Sequence, residues 1–139
     1  MTTIINKEAG LCLDGRFDQC VYTNVCIGKA TQNWHRIGDN WQVASTNECL
    51  SFYKNAGYRA INAYTSSCNQ TNVCQHWTLV QSTHLQVEYN GLCLQGNGLG
   101  NRVFLNKCNY EDPSQVWTID DTDAIALVGK DIKEIEPDL

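Results

Sequence analysis

Apolar and polar positions alternate along this chain in short stretches separated by polar turns. From Thr3 to Asp14 two apolar stretches flank a Lys7-Glu8-Ala9-Gly10 turn, Cys20 to Val25 alternates, and Trp34 to Ile37 follows a polar loop. Alternation with a period of two predicts strands, and clusters of Gly, Asn, Ser and Asp predict the turns between them. The same order of signals recurs from Trp41 through Trp77-Thr78-Leu79-Val80, and again from Leu85-Gln86-Val87-Glu88-Tyr89 through Trp117-Thr118-Ile119. The chain is thus expected to fold as twelve strands in three equivalent four-stranded units, all-β, with no element required to be a helix.

Particular residues mark the repeat. A glutamine and a tryptophan stand two apart in Gln32-Asn33-Trp34, Gln75-His76-Trp77 and Gln115-Val116-Trp117. Upstream lies an aromatic followed four positions later by a cysteine (Tyr22 and Cys26, Tyr64 and Cys68, Phe104 and Cys108), and further upstream a triplet, Cys12-Leu13-Asp14, Cys49-Leu50-Ser51 or Cys93-Leu94-Gln95. A period of about forty residues means that one unit cannot bury its own apolar face, so three must close on one another, each tryptophan pointing into a shared core. The repeats are placed at about 1–38, 39–81 and 82–122.

Composition refines this picture without changing it. The 139 residues suit a single domain, and no apolar stretch approaches the roughly 18 residues that span a bilayer, nor does a basic segment precede an apolar core at the start. The chain is read as soluble: secreted if a signal has been removed, otherwise cytoplasmic. Its formal charge of −5 is uneven. Through Trp117 acids and bases balance at eight each, and the 22 residues that follow hold seven acids against two lysines, so residues 123–139 are read as an acidic C-terminal extension. A neutral body without a basic stripe argues against nucleic acid and against anionic membranes.

The three Gln-x-Trp motifs, each preceded by a Cys-Leu-x triplet and an aromatic-x-x-x-Cys strand, resemble the ricin-type β-trefoil lectins over roughly residues 2–119. That resemblance implies a β-trefoil with shallow sugar pockets, one per unit. Sugar recognition needs a carboxylate that accepts from adjacent hydroxyls, an aromatic face for the C–H side of the ring, and an amide for a further hydroxyl. Carried over residue by residue, the first unit has the acid Asp14 and the aromatic Tyr22, with Ile27 in the amide position. The second has Tyr64 and Asn69, but Ser51 replaces the acid and the loop from Phe52 to Ala63 is about five residues longer than its counterpart. The third has Phe104 and Asn109 with Gln95 in the acid position. The first pocket is therefore expected to be the strongest. Where many family members place Asn immediately before the motif glutamine, this chain has Thr31, Cys74 and Ser114. The motif residues Gln32, Trp34, Gln75, Trp77, Gln115 and Trp117 are read as core and turn-fixing rather than ligand-binding.

Eight cysteines at repeated spacings with no CxxC pair read as disulfides rather than metal ligands. Pairing within units gives Cys12–Cys26, Cys49–Cys68 and Cys93–Cys108, and leaves Cys20 and Cys74, which in the implied fold lie beside the sugar sites of different units and are expected to remain thiols or to pair between chains. His35, His76 and His84 lack metal spacing, so neither metal nor cofactor is expected. Neither GxSxG nor HExxH occurs, and Gly96-Asn97-Gly98-Leu99-Gly100 is read as a hairpin loop. Asn69-Gln70-Thr71 forms a glycosylation acceptor triplet. The functional expectation is a non-enzymatic lectin for galactose or N-acetylgalactosamine-type glycans of glycoproteins or glycolipids, with homodimer formation or attachment to another domain or subunit left open. The alternative is a trefoil used for protein contact, as an inhibitor or assembly subunit.

Overall fold

The computed structural model describes residues 2–52 and 62–121. Within them lie twelve strands: β1 (Thr2–Asn6), β2 (Leu11–Gly15), β3 (Val21–Asn24), β4 (Trp34–Ile37), β5 (Asn40–Val43), β6 (Cys49–Ser51), β7 (Tyr64–Ser66), β8 (Trp77–Val80), β9 (His84–Val87), β10 (Cys93–Gln95), β11 (Phe104–Asn106) and β12 (Trp117–Asp121). They form three antiparallel four-stranded sheets with orders β12-β1-β2-β3, β4-β5-β6-β7 and β11-β10-β9-β8. Each sheet takes its edge strand from the preceding repeat, so no repeat is self-contained. The ring closes where β12 pairs with β1, from Asn6 opposite Trp117 to Thr2 opposite Asp121. The architecture is a β-trefoil. The expected 123–139 extension and most of the longer second-unit loop fall outside the described residues.

Why the motif fixes this fold is visible in its hydrogen bonds. Trp34, Trp77 and Trp117 are buried at 1% exposure or less, and each indole Nε1 donates to the carbonyl of the triplet leucine: Leu13 at 3.0 Å, Leu50 at 2.9 Å and Leu94 at 2.9 Å. Burying about 150–250 Å² of indole at ~25 cal/mol per Å² contributes about 4–6 kcal/mol per tryptophan. The hydrogen bond removes the cost of burying the N–H. The three tryptophans share one core with Leu13, Leu50, Leu94, Val21, Ala63 and Val103. Each motif also contains a feature the alternation does not reveal. A single 3-10 turn, over Ala30–Gln32, Val73–Gln75 or Pro113–Gln115, delivers the chain into the tryptophan strand. Three residues are too few to leave a helical period in a sequence.

Around the pseudo-threefold axis the β2–β3, β6–β7 and β10–β11 hairpins meet through three equivalent backbone bridges, Cys20 with Tyr64, Asn62 with Phe104 and Arg102 with Tyr22. The aromatic of each repeat therefore sits against its neighbour's hairpin. The three within-unit disulfides are present, with Cα–Cα distances of 5.1, 5.0 and 5.0 Å. Cys20 and Cys74 lie outside these bridges, the first half-buried and the second buried. One position breaks the symmetry. A Cβ at Gly15 would stand 3.0 Å from the Trp34 ring and one at Gly96 2.8 Å from Asn6 Nδ2, whereas the equivalent of the second repeat is Phe52, buried and edge-on to Tyr89 with centroids 5.8 Å apart.

Candidate functional site

In each repeat the triplet's last residue and the aromatic face one another across a strand pair: Asp14 with Tyr22, Ser51 with Tyr64, Gln95 with Phe104. The motif glutamine then ties this hairpin to the loop that follows. Its Oε1 accepts from the backbone N–H of Ile27 (3.0 Å), Asn69 (2.8 Å) or Asn109 (2.8 Å). Its Nε2 donates to the carbonyl of Val25, Ser67 or Lys107, at 2.9 Å each. Both ends of the amide are committed in all three repeats, and the glutamines are at most 1% exposed.

Only the first repeat places a carboxylate at the centre of this frame. Asp14 is fully buried. Its Oδ2 accepts from Asn24 Nδ2 at 3.0 Å and Gln32 Nε2 at 3.2 Å, and pairs with Lys29 Nζ at 3.3 Å. Burial alone would push its pKa up, but the Thr31 hydroxyl, Asn24, Gln32 and the Lys29 charge outweigh that penalty and hold it below 3.8. The other oxygen, Oδ1, is buried without a partner in hydrogen-bond geometry, as is the Thr31 hydroxyl oxygen close by. Tyr22 is half-buried across the strand pair. Its hydroxyl donates to Asp18 Oδ2 at 2.8 Å, and the Arg16 guanidinium lies 5.7 Å from its ring centroid. That hydrogen bond, then burial and the nearby Cys20 thiol, push the phenol up to about 12. Ile27 is 67% exposed and offers an apolar rim where the family pattern places an amide.

The second repeat is built differently. Ser51 is buried, and Gln75 Nε2 donates at 2.8 Å to Ser66 rather than to the triplet residue. Tyr64 is packed in the core at 6% exposure, so the structure does not present it as a surface for stacking. Asn69 is exposed, but its Oδ1 already accepts from the Thr71 N–H (3.0 Å) and hydroxyl (2.8 Å). In the third repeat Gln95 Oε1 takes over the acceptor role of Asp14, receiving Gln115 Nε2 at 3.0 Å and Asn106 Nδ2 at 3.1 Å. Phe104 is half-buried opposite it. Asn109 is exposed, its Oδ1 accepting from the Glu111 N–H at 3.0 Å and its carbonyl hydrogen-bonded to His84 Nε2 at 3.1 Å.

The structure therefore gathers Asp14, Tyr22 and Gln32 in one repeat, and Gln95, Phe104 and Gln115 in another. It also brings in residues that the motif reading passed over. Asn24, Ser66 and Asn106 each stand two residues after the aromatic, and aligning the repeats on that aromatic would have found them. Lys29 sits at the position that Asn72 and Asp112 occupy in the other repeats, immediately before the 3-10 turn.

A family model for the ricin-type beta-trefoil lectin domain matches residues 1–124. Among solved structures, the designed threefold-symmetric protein ThreeFoil is similar with a TM-score of 0.74 at 17% identity, covering 86% of this chain and 97% of that one. A non-toxic homologue of type II RIPs from Momordica charantia (bitter gourd), solved in complex with α-methyl-D-galactoside, gives 0.73 at 18% identity, over 85% of this chain and 46% of that one. The chain thus spans about half of that relative. The C-half of the earthworm R-type lectin, solved in complex with GalNAc, gives 0.69 at 13% identity, over 86% and 96% of the two chains. At such identities the structural likeness establishes the fold alone. No curated protein matches the chain in sequence.

Proposed function

Because the chain belongs to the ricin-type β-trefoil lectin domain family, we propose that it is a carbohydrate-binding lectin for galactose or N-acetylgalactosamine-type glycans, acting chiefly through its first repeat and without catalysis. The observation that carries this reading is Asp14. It is an ionised carboxylate facing Tyr22 across the strand pair, and a sugar hydroxyl donating to it while the ring lies toward Tyr22 would gain the charge-assisted hydrogen bond that Ser51 and Gln95 do not offer. Gln95 and Phe104 repeat the arrangement with a neutral amide, which lacks the charge assistance that roughly doubles hydrogen-bond strength. The third pocket is accordingly the weaker, and the second, with Ser51 and a buried Tyr64, the weakest. Two working pockets on one body would raise avidity on a multivalent surface by roughly 10²–10⁴-fold. Three disulfides fit a chain that folds in an oxidising compartment and acts outside the cell.

The test is a glycan array with wild type, Asp14→Ala and Gln95→Ala. Loss of most galactose-type binding in Asp14→Ala, and a smaller loss in Gln95→Ala, is expected. Binding untouched by both substitutions overturns the pocket assignment. A wild type that binds no glycan overturns the lectin reading and favours protein contact, for which Phe17, Val25, Ile27 and Leu99, 57–75% exposed, supply the apolar surface.

A further inference from the structure

We infer that the first-repeat pocket selects acidic glycans, with Lys29 contacting a carboxylate or sulfate ester carried by the sugar; the inference rests on the lectin reading and names the ligand class of the same pocket. The starting point is a broken symmetry. In the second and third repeats the residue before the 3-10 turn caps it: Asn72 Oδ1 accepts from the Cys74 N–H at 2.9 Å, and Asp112 Oδ1 from the Ser114 N–H at 2.9 Å. The first repeat has Lys29 there. An ammonium has no acceptor, and the turn goes without a side-chain cap. The side chain is spent elsewhere, reaching over Asp14 with Nζ 3.3 Å from Oδ2.

Burial decides which member of this pair a ligand meets. Asp14 is at 0% exposure and the Lys29 side chain at 39%, so the ammonium lies over the carboxylate and is the charge a ligand meets first, and a sugar hydroxyl reaches Asp14 when Lys29 swings aside. An ammonium has three N–H donors; among the described residues its ion pair is with Asp14. A second cation stands on the same hairpin, Arg16, with its guanidinium 5.7 Å from the Tyr22 ring. The one acid between them in the sequence is Asp18, and both of its oxygens are engaged, Oδ1 by the Cys20 N–H at 2.9 Å and Oδ2 by the Tyr22 hydroxyl at 2.8 Å. A neutral sugar would have to draw Lys29 off Asp14 while offering the displaced ammonium no opposite charge. A sugar bearing an anion beside the hydroxyl that Asp14 accepts from would receive the displaced ammonium, and Lys29 would bridge ligand anion and Asp14 without leaving either charge uncompensated. The first repeat is the one repeat of the three with a cation at this position, so the preference is confined to it.

The experiment titrates isotopically labelled wild type with galactose, galacturonic acid and galactose 6-sulfate at low and high salt, following the Ile27 amide, which reports on the pocket through its bond to Gln32. Expected is about two- to fivefold tighter binding of at least one anionic sugar than of galactose at low salt, shrinking at high salt. A preference for one anion alone supports the inference and identifies the group. The ratio should collapse to about one in Lys29→Met and persist in Lys29→Arg. Equal binding of all three sugars by wild type, or a preference insensitive to salt, overturns the inference while leaving the lectin reading intact. Binding of galactose but neither anion likewise overturns it, and no binding of any sugar overturns both. The salt series on wild type decides the question even if a variant fails to fold.

Discussion

Replacing the motif glutamines one at a time by leucine, a residue of similar volume, asks whether these side chains hold the fold or the ligand. In Gln32 the change removes bonds to the Ile27 N–H, the Val25 carbonyl and Asp14 Oδ2; in Gln115 it removes those to the Asn109 N–H, the Lys107 carbonyl and Gln95 Oε1. Each variant leaves one backbone N–H and one carbonyl without their partners. A buried orphan costs about 1–3 kcal/mol, but these loops are half-open to water, so the lower end applies to each group and the sum is about 2–3 kcal/mol. Gln32→Leu and Gln75→Leu should each cost about 1 kcal/mol more, because the buried Asp14 Oδ2 loses the Gln32 Nε2 donor at 3.2 Å and the buried Asn40 Nδ2, 3.3 Å from Gln75 Oε1, loses its acceptor. Against a typical net stability of about 5–15 kcal/mol these are large effects. With a urea slope of about 2 kcal/mol per molar, midpoints should fall by about 1–2 M, least in Gln115→Leu. Urea denaturation of the oxidised protein, followed by tryptophan fluorescence, measures this. Midpoints within about 0.3 M of wild type in all three variants would refute the structural role; loss of sugar binding at unchanged stability would move the glutamines into the pocket.

Three further outcomes follow from the same geometry. The disulfides close loops of 14, 19 and 15 residues, each contributing on the order of 3 kcal/mol, so full reduction removes an amount comparable to the whole net stability and should unfold the domain; an unchanged thermal melt in reductant contradicts this. Asp14 has a folded pKa depressed below the 3.8 of the unfolded chain, so the stability it contributes is complete above about pH 4 and is lost as pH falls through the lower folded value; the difference in urea midpoint between wild type and Asp14→Asn should shrink on acidification, and a difference independent of pH would count against an ionised Asp14. The Tyr22 phenol, pushed up to about 12, should appear as a late component in an alkaline ultraviolet titration that is missing from Tyr22→Phe, whereas a difference spectrum centred near 10 would show that the Asp18 hydrogen bond is not maintained.

The fold was legible because its determinants are short, repeated and covalent or buried. Each Gln-x-Trp pair announces where a strand enters the core, and spacing within each unit pairs the cysteines as the structure has them. The 3-10 turns were not legible, since they satisfy one or two hydrogen bonds and leave no period. Within the site, facing pairs such as Asp14 and Tyr22 follow from register, but their exposure does not. Tyr64 occupies the same register position as Tyr22 and is buried nonetheless, in a repeat whose hairpin carries Phe52 in place of glycine. Asn24 and Lys29 escaped for a different reason. Polar residues in alternation read as solvent-facing, and nothing local to Lys29 says that its long side chain turns inward onto a residue fifteen positions earlier.

Symmetry itself supplies the argument for where function resides. Three repeats that share one ancestor of geometry need the same tryptophan, the same leucine carbonyl and the same committed glutamine, or the ring does not close; substitutions at those positions are felt by the whole core. The residues lining each pocket carry no such obligation, because acceptors as different as Asp14 and Gln95 receive the glutamine and asparagine donors equally well at 3.0–3.2 Å. A neutral acceptor thus suffices to close the frame at that position, whatever stability the Asp14 charge adds. In the first repeat that charge is retained at full burial, with one oxygen unpartnered and a lysine recruited from a capping position to neutralise it. A neutral amide in the third repeat makes the same two bonds without a buried charge, and it is this difference between repeats that the proposed ligand role of Asp14 and Lys29 accounts for.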